Sequence, residues 1–305
     1  MTRKVEGKVF VVTGAGGAIG REISLALARE GGRIVVNDLG ASVHGEGSDA
    51  TPAEKTAAEI RALGGEAVVN TDSVSGWASA QKLIQCAVDT FGRIDGVINN
   101  AGILRDRMFH KMNEEEWNDV IGVHLNGCFY VARHAAPFFR DQKSGTYVHM
   151  TSTSGLYGNV GQANYGAAKL GITGLSKIIA LEMASSGVRS NCIAPAAWSR
   201  MIGSIPDETP EQKARIERVR TKLAAHTVAP MAVTLSCDDS IGVSGQVFYV
   251  RGNEIMLFRQ FEVSRSVHRS EGWTPQTIAE HGLPALKASL HPLKQAREMT
   301  TWEPI

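Results

Sequence analysis

Short, continuous apolar runs alternate along this chain with longer stretches whose apolar positions fall every three or four residues. The first pattern suits a strand buried on both faces, the second an amphipathic helix. Lys8 to Thr13 predicts the first strand, followed by glycines and a helix over Ile19 to Glu30. Arg33 to Asp38 repeats the strand pattern. Pro52 to Leu63 reads as the next helix, with Thr51 as N-cap and Pro52 at its first position. A strand over Glu66 to Thr71, a helix over Trp77 to Phe91 and a strand over Ile94 to Asn99 continue the series. A helix over Glu114 to Arg140 and a strand over Thr146 to Thr151 come next. A helix over Asn164 to Ser185, a strand over Val188 to Ala194 and a last sheet strand over Gly245 to Arg251 complete it. Such alternation predicts an α/β fold, a doubly wound parallel sheet with right-handed crossovers placing helices on both faces.

Two stretches break the rhythm. Residues 196–226 open irregularly and then read as a charged helix, Pro210 to Leu223, whose place after a strand end suggests a lid. After Arg251 come a short apolar stretch, Glu254 to Phe258, and a tail with a helix start at Thr274-Pro275. The expected organisation is one catalytic domain over residues 1–255 and a C-terminal extension, 256–305, packed on it. Lys+Arg 32 against Asp+Glu 31 gives a net charge of +1, so no global field recruits nucleic acid or an anionic membrane. No apolar run reaches membrane-spanning length. Cys86, Cys128, Cys192 and Cys237 are scattered without metal-type spacing and read as reduced thiols, most of them in the core. The first residues lead straight into a strand, and Trp302-Glu303-Pro304-Ile305 carries no peroxisomal address. A cytoplasmic location is the expectation.

The turn after the first strand is Thr13-Gly14-Ala15-Gly16-Gly17-Ala18-Ile19-Gly20. Glycines there let the backbone approach a pyrophosphate at the positive end of the following helix, as in a Rossmann-type fold, although any tight strand-to-helix turn can use them. Asp38 closes the second strand, where a carboxylate accepts from adenosine ribose hydroxyls and repels a 2′-phosphate; the alternative is a loop aspartate. Arg21 and Arg33 are the only nearby cations that could favour NADP, and they rank below Asp38, so NAD is the expected cofactor. Asp72, with Ser73 and Val74, follows the third strand and can meet the adenine amino group or cap a helix. Asn99, Asn100, Ala101 and Gly102 end the fourth strand, at the sheet edge where ligands bind.

Tyr165 and Lys169 stand four residues apart, which places them on one helix face, and Ser152 lies thirteen residues upstream of Tyr165. An ammonium beside a phenol favours the phenolate, whose unperturbed pKa of about 10 is otherwise too high for a base near neutrality. The Ser152 hydroxyl would hold a substrate oxygen and stabilise charge forming on it. Taken alone, a Tyr-x-x-x-Lys pair also describes an ordinary helix with a half-buried ring.

Together these motifs resemble the short-chain dehydrogenase/reductase family, in its order and spacing, over roughly residues 5–255, with Pro195 after the sixth strand. Asn37-Asp38-Leu39-Gly40 with a long insert to Thr51, Ile103 to Arg107, Val123-His124-Leu125, Ile193-Ala194-Pro195 and Ser199-Arg200-Met201 are similar to one branch of it. That branch is the (3R)-hydroxyacyl-CoA dehydrogenase domain of the peroxisomal multifunctional enzyme type two, the seventeen-beta-hydroxysteroid dehydrogenase type four group, with bacterial stand-alone relatives. The resemblance implies Ser152, Tyr165 and Lys169 as catalytic residues. It also implies a cofactor site over Gly14, Gly16, Gly17, Ala18, Ile19, Gly20, Asp38, Asp72 to Val74, Asn99 to Gly102, Tyr165, Lys169 and Pro195. Departures are Ala18 in place of a glycine, His124 where the family has an asparagine, and Pro195-Ala196 for Pro-Gly; Ser199 is the substitute for a threonine on the nicotinamide amide. Asn126 points elsewhere on its helix.

The activity implied is NAD-dependent interconversion of a secondary alcohol and a ketone, first a 3-hydroxyacyl-CoA, with a steroid or aromatic acyl group among the options. Alternatives are a free hydroxysteroid or other bulky alcohol, an NADPH ketoreductase, and a silent dinucleotide-binding scaffold. Leu156, Tyr157, Val160, Trp198, Met201 and Ile202 are candidates for an apolar substrate pocket, or for core. Lys213, Arg215, Arg218, Arg220 and Lys222 on the lid, and Arg259, Arg265 and Arg269 in the tail, could meet CoA phosphates. Glu211 and Glu217 interleave with the lid cations, so a self-paired solvated face is the competing explanation. Family members pair through the long helices, so a homodimer or homotetramer is expected.

Overall fold

The computed structural model describes residues 3–197, 209, 217, 221–259 and 261–304. Eight strands form one sheet in the order β3-β2-β1-β4-β5-β6-β7-β8. β1 (Val9–Thr13), β2 (Arg33–Asn37), β3 (Ala67–Asn70) and β4 (Gly96–Asn99) make one half. β5 (Gly145–Met150), β6 (Val188–Ala196), β7 (Val247–Arg251) and β8 (Glu254–Leu257) make the other. β1 to β7 run parallel, and the order reverses at β1–β4, the switch point that opens a crevice at the carboxyl edge. β7 is not the edge strand expected: β8 turns back and pairs with it antiparallel.

The central strands are apolar because both their faces are covered. Val12, Ile34 and Val36 pack with α1 (Ala18–Arg29) and α2 (Thr51–Ala62) on one face. Val11, Val35 and Val97 pack with α3 (Trp77–Phe91) on the other. α2 begins one residue earlier than expected: Thr51 is its first residue, and the Asp49 carboxylate, not a Thr51 hydroxyl, holds that end by accepting from Thr51 N at 2.9 Å.

The long helix expected over Glu114 to Arg140 is two. α4 (Glu114–Ile121), started by a reciprocal Asn113–Glu116 cap, passes through a single wide π turn, Gly122–Asn126, into α5 (Gly127–Gln142). One extra residue per turn there re-aims the chain, a device common at functional sites. A short helix, α6 (Thr153–Leu156), precedes α7 (Ala163–Glu182), and α8 (Ala229–Ser236) packs against α1. Most of the expected lid helix lies outside the described residues.

The tail folds back on the sheet. Thr274 caps a turn at Pro275–Thr277. Ala296 N donates to Gly158 O at 2.8 Å, and the buried Arg251 donates to Trp302 O at 2.6 Å. Cys128, Cys192 and Cys237 are buried and Cys86 is partly so, all as free thiols. Among the described residues no helix is long and apolar enough to cross a membrane, and no group of residues has the makings of a metal site.

Candidate active site

A cleft of about 490 Å³ runs along the carboxyl edge of β1–β6, from Asp38 and Asp72 at one end to Tyr165, Lys169 and Pro195 at the other. At its floor, Gly14 holds φ +64, and an added Cβ would fall 2.9 Å from Ala101 Cα, so only glycine lets the two turns touch. The buried Thr13 ties them: its Oγ1 accepts from Asn100 N at 3.0 Å and Ala101 N at 3.1 Å. Asn100 Nδ2 returns bonds to Thr13 O and Gly14 O, both at 3.1 Å.

Asp38 is 8% exposed and already shares its carboxylate between two amides, Gly16 N at 2.8 Å and Gly40 N at 2.7 Å. It therefore braces the glycine turn as well as facing the cleft. Arg21 is paired with Glu22 and Glu59, and Arg33 with Glu66 at 3.1 Å, so neither offers a free cation beside Asp38. Asp72 is no helix cap, since α3 starts from Gly76; Asn70 Nδ2 holds its carboxylate at 2.8 Å.

At the other end, Ser152 caps α6 by accepting from Ser154 N at 3.1 Å. Tyr165 and Lys169 sit on the first turns of α7, with the Lys169 ammonium 5.5 Å from the Tyr165 ring centre. Lys169 is buried and donates to Met150 O at 2.7 Å. Burial pushes the Tyr165 phenol up to about 12, against a hydrogen bond with the Ser152 hydroxyl. It also brings Lys169 down to about 8. In the protein alone, desolvation outweighs the Ser152 hydrogen bond, and the Asp106 charge adds to the rise.

His124, on the π turn, is 1% exposed and stands edge-on to Tyr165 with ring centres 5.1 Å apart. Its Nε2 lies 2.8 Å from Ile103 O and 3.1 Å from Ile103 N. Burial, and then Lys169, hold it well below its ordinary pKa, so it is neutral. Asn126 is exposed, away from the cleft.

Of the residues named from sequence, Gly14, Gly17, Ala18, Ile19, Asp38, Asp72 to Val74, Asn100 to Gly102, Tyr165, Lys169 and Pro195 line the cleft. Ser152 and Asn99 do not: Ser152 reaches the site through its hydrogen bond with Tyr165, and the Asn99 amide turns into the core toward His149 Nδ1, 3.1 Å away. Gly16 and Gly20 shape the turn from behind; a Cβ on Gly20 would fall 2.3 Å from Gly14 O. Sequence reasoning missed the wall made by Ala41, Ser42, Val43 and Gly45, and that made by Asn118, Asp119, Gly122 and Val123. The length of the insert after β2 was the available signal for the first.

The expectations for Trp198, Ser199, Met201, Ile202, Lys213, Arg215, Arg218, Arg220 and Glu211 fall outside the described residues. Leu156 packs against a small core cluster, whereas Tyr157 and Val160 are exposed and do not line the cleft. Arg259 is paired with Glu262 and Arg269 with Glu271, while Lys222 donates to Pro304 O at 3.1 Å.

A doubly wound sheet with a glycine turn at its switch point and a Ser, Tyr and Lys beside the crevice defines an α/β oxidoreductase scaffold. Residues 8–204 match the family described as short chain dehydrogenase. The chain belongs to that family, whose members act on CH–OH groups with a nicotinamide dinucleotide. It is 46% identical over 258 residues to a short-chain type dehydrogenase/reductase of Mycobacterium tuberculosis, covering 84% of this chain and 86% of that protein. It is 41% identical over 281 residues to the peroxisomal multifunctional enzyme type 2 of Mus musculus, covering 91% of this chain but 36% of that longer protein. Hydroxyacyl-CoA dehydrogenase ChsB1 of Mycobacterium tuberculosis is 38% identical, with 84% of this chain and 81% of its own covered. The crystal structure of a short chain dehydrogenase from Mycobacterium avium superimposes with a TM-score of 0.83 at 38% identity, over 96% of this chain and 98% of that one.

Proposed function

We propose that the protein is an NAD-dependent dehydrogenase that oxidises the secondary alcohol of a 3-hydroxyacyl-CoA thioester, with Ser152, Tyr165 and Lys169 as its catalytic residues. The observation that carries the reading is the convergence of Tyr165 and Lys169 on the same cleft that holds Asp38 at its far end. Gly14, packed where no Cβ fits, and Asp38, whose neighbours Arg21 and Arg33 are both paired, suit an adenosine dinucleotide lacking a 2′-phosphate. The names of the relatives support the substrate class: a hydroxyacyl-CoA dehydrogenase and a peroxisomal multifunctional enzyme.

Bound NAD supplies the hydride acceptor. The Ser152 hydroxyl orients the substrate oxygen, and the Tyr165 oxygen takes the hydroxyl proton as the carbonyl forms. Lys169, fixed by Met150 O, keeps positive charge beside the Tyr165 ring. The phenol of the protein alone lies far above neutrality. A cation held in the cleft beside Tyr165 would favour its phenolate and so help it act as base. His124 fills the space beside the Tyr165 ring and limits where it can turn.

Phe129 on α5 and Leu170, Ile178 and Leu181 on α7 are apolar and at least 37% exposed, which suits pairing through these helices as a homodimer or homotetramer. Titrations with NAD and NADP, followed by assays of 3-hydroxyacyl-CoA thioesters and free hydroxysteroids, test the reading. NAD preference and turnover of thioesters are expected. Preference for NADP would remove the cofactor assignment, and turnover of steroids alone would remove the thioester.

A further inference from the structure

The connection between β2 and α2, residues 38–50, is long for its type, since such turns usually take about two to six residues. Its two ends meet: Asp49 N donates to Leu39 O at 3.1 Å. Gly40, with φ +71, sits so close that an added Cβ would fall 1.7 Å from Asp49 O. The residues between them are therefore a closed Ω-type loop. Its own bonds order it, with Ser42 N donating to Glu46 O at 2.8 Å and Ser42 Oγ accepting from His44 N and Glu46 N, each at 3.2 Å.

The loop does not lie back on β2. Leu104 N donates to Val43 O at 3.0 Å, His44 Nδ1 lies 3.1 Å from Leu104 O, and Glu46 stands 3.8 Å from Arg105. Leu104 and Arg105 follow β4, and β1 lies between β2 and β4 in the sheet. The loop thus crosses above the carboxyl end of β1, over the glycine turn. Ala41, Ser42, Val43 and Gly45 line the same cleft as Gly17 and Asp38.

We propose that residues 41–45 are a strap over the dinucleotide: the cofactor lies between strap and glycine turn, and the strap lifts for it to enter or leave. The inference rests on the dinucleotide reading of the cleft. The far ties are two hydrogen bonds at Leu104 and one long ion pair. The base at Leu39–Asp49 and the Asp38 bonds to Gly16 and Gly40 are independent of them, so the strap opens without unfolding the turn.

NADH fluorescence tests this through binding and release in the unmodified protein and three variants. In one, residues 41–48 are replaced by two glycines, which the contact of Leu39 with Asp49 permits. Val43→Asp places a carboxylate on the inner wall, and Ser48→Asp places the same charge on the exposed part of the loop, outside the cleft. The excised variant is expected to release NADH about tenfold faster or more, the effect of losing one or two hydrogen bonds. Val43→Asp is expected to weaken NADH binding about tenfold, with part of the loss recovered at high salt, and Ser48→Asp to leave it unchanged. Equal release from the unmodified and excised proteins, or equal losses for the two aspartate variants, would overturn the strap. If the unmodified protein binds neither NADH nor NADPH, the reading of the cleft itself falls and the strap with it.

Discussion

The two ends of the cleft hold their polar groups by opposite means. At the β2 end the carboxylate of Asp38 and the side chains of Thr13 and Asn100 are bonded to backbone, so the turn is fixed before any ligand arrives. At the α7 end Tyr165, Lys169 and His124 are ionisable groups whose protonation is displaced by burial. The first end depends on the spacing of atoms, and its natural task is to position. The second depends on desolvation, and its natural task is to move a proton. A change of shape should hurt the first more, and a change of charge the second.

The sharpest break in that contrast is Tyr165→Phe, which keeps the ring against His124 and removes the oxygen. Turnover is expected to fall about 10²–10⁴-fold, the usual worth of general acid–base help, with dinucleotide affinity in a titration near the unmodified value. Unmodified turnover would take the proton-transfer role away from α7. Asp38→Ala strips the acceptor from two amides, each left unsatisfied at a cost of about 1–3 kcal/mol. NAD affinity should fall by tenfold or more while discrimination against NADP shrinks, as paired titrations would reveal; unchanged ratios would leave Asp38 a brace only.

Lys169→Met sharpens the contrast through stability. Burial lowers Lys169 from its ordinary 10.5 to about 8, so its ammonium is costly in the folded state. Between those values the unfolded chain holds the proton and the folded one does not, so stability attributable to Lys169 rises with pH across that window. Removing the charge is expected to raise the free energy of unfolding at pH 7 by about 1–3 kcal/mol, read as a higher urea midpoint, and to abolish turnover. A lower midpoint would mean that the bond to Met150 O outweighs desolvation.

Two glycine substitutions carry the smaller effects, Gly102→Ala the greater of the two. Its Cβ would fall 2.3 Å from His124 Cε1, and that ring is pinned to Ile103. A loss of about 1–3 kcal/mol is expected, read as a lower Tm. Gly17→Ala, whose Cβ would meet nothing nearer than Gly14 O at 3.5 Å, should cost little. Equal Tm values for the two would show that His124 can yield.

The same contrast explains what could be read from residue order alone. The parallel strands were legible because burial on both faces leaves unbroken apolar runs, and the β2 end was legible because Gly14 and Asp38 are matters of spacing. β8 was missed as a sheet strand because it sits at the edge and exposes Ile255 and Leu257. The π turn at His124 was missed because one extra residue hardly disturbs a helical apolar pattern. The insert was visible as length, but its path over β1 depends on contacts with Leu104 that no local pattern encodes. The trio Ser152, Tyr165 and Lys169 was legible by type, whereas the direction of the Tyr165 shift was not, since a motif does not state how deeply it will be buried.

The most direct test is NADH formation from a 3-hydroxyacyl-CoA thioester, followed by absorbance from about pH 6 to about pH 10, the span over which a buried phenol and its lysine should reveal themselves. The account predicts oxidation that climbs with pH, because a phenol still protonated at neutrality becomes a better base as protons are withdrawn. A rate flat across that span, or no NADH at any pH, would contradict it.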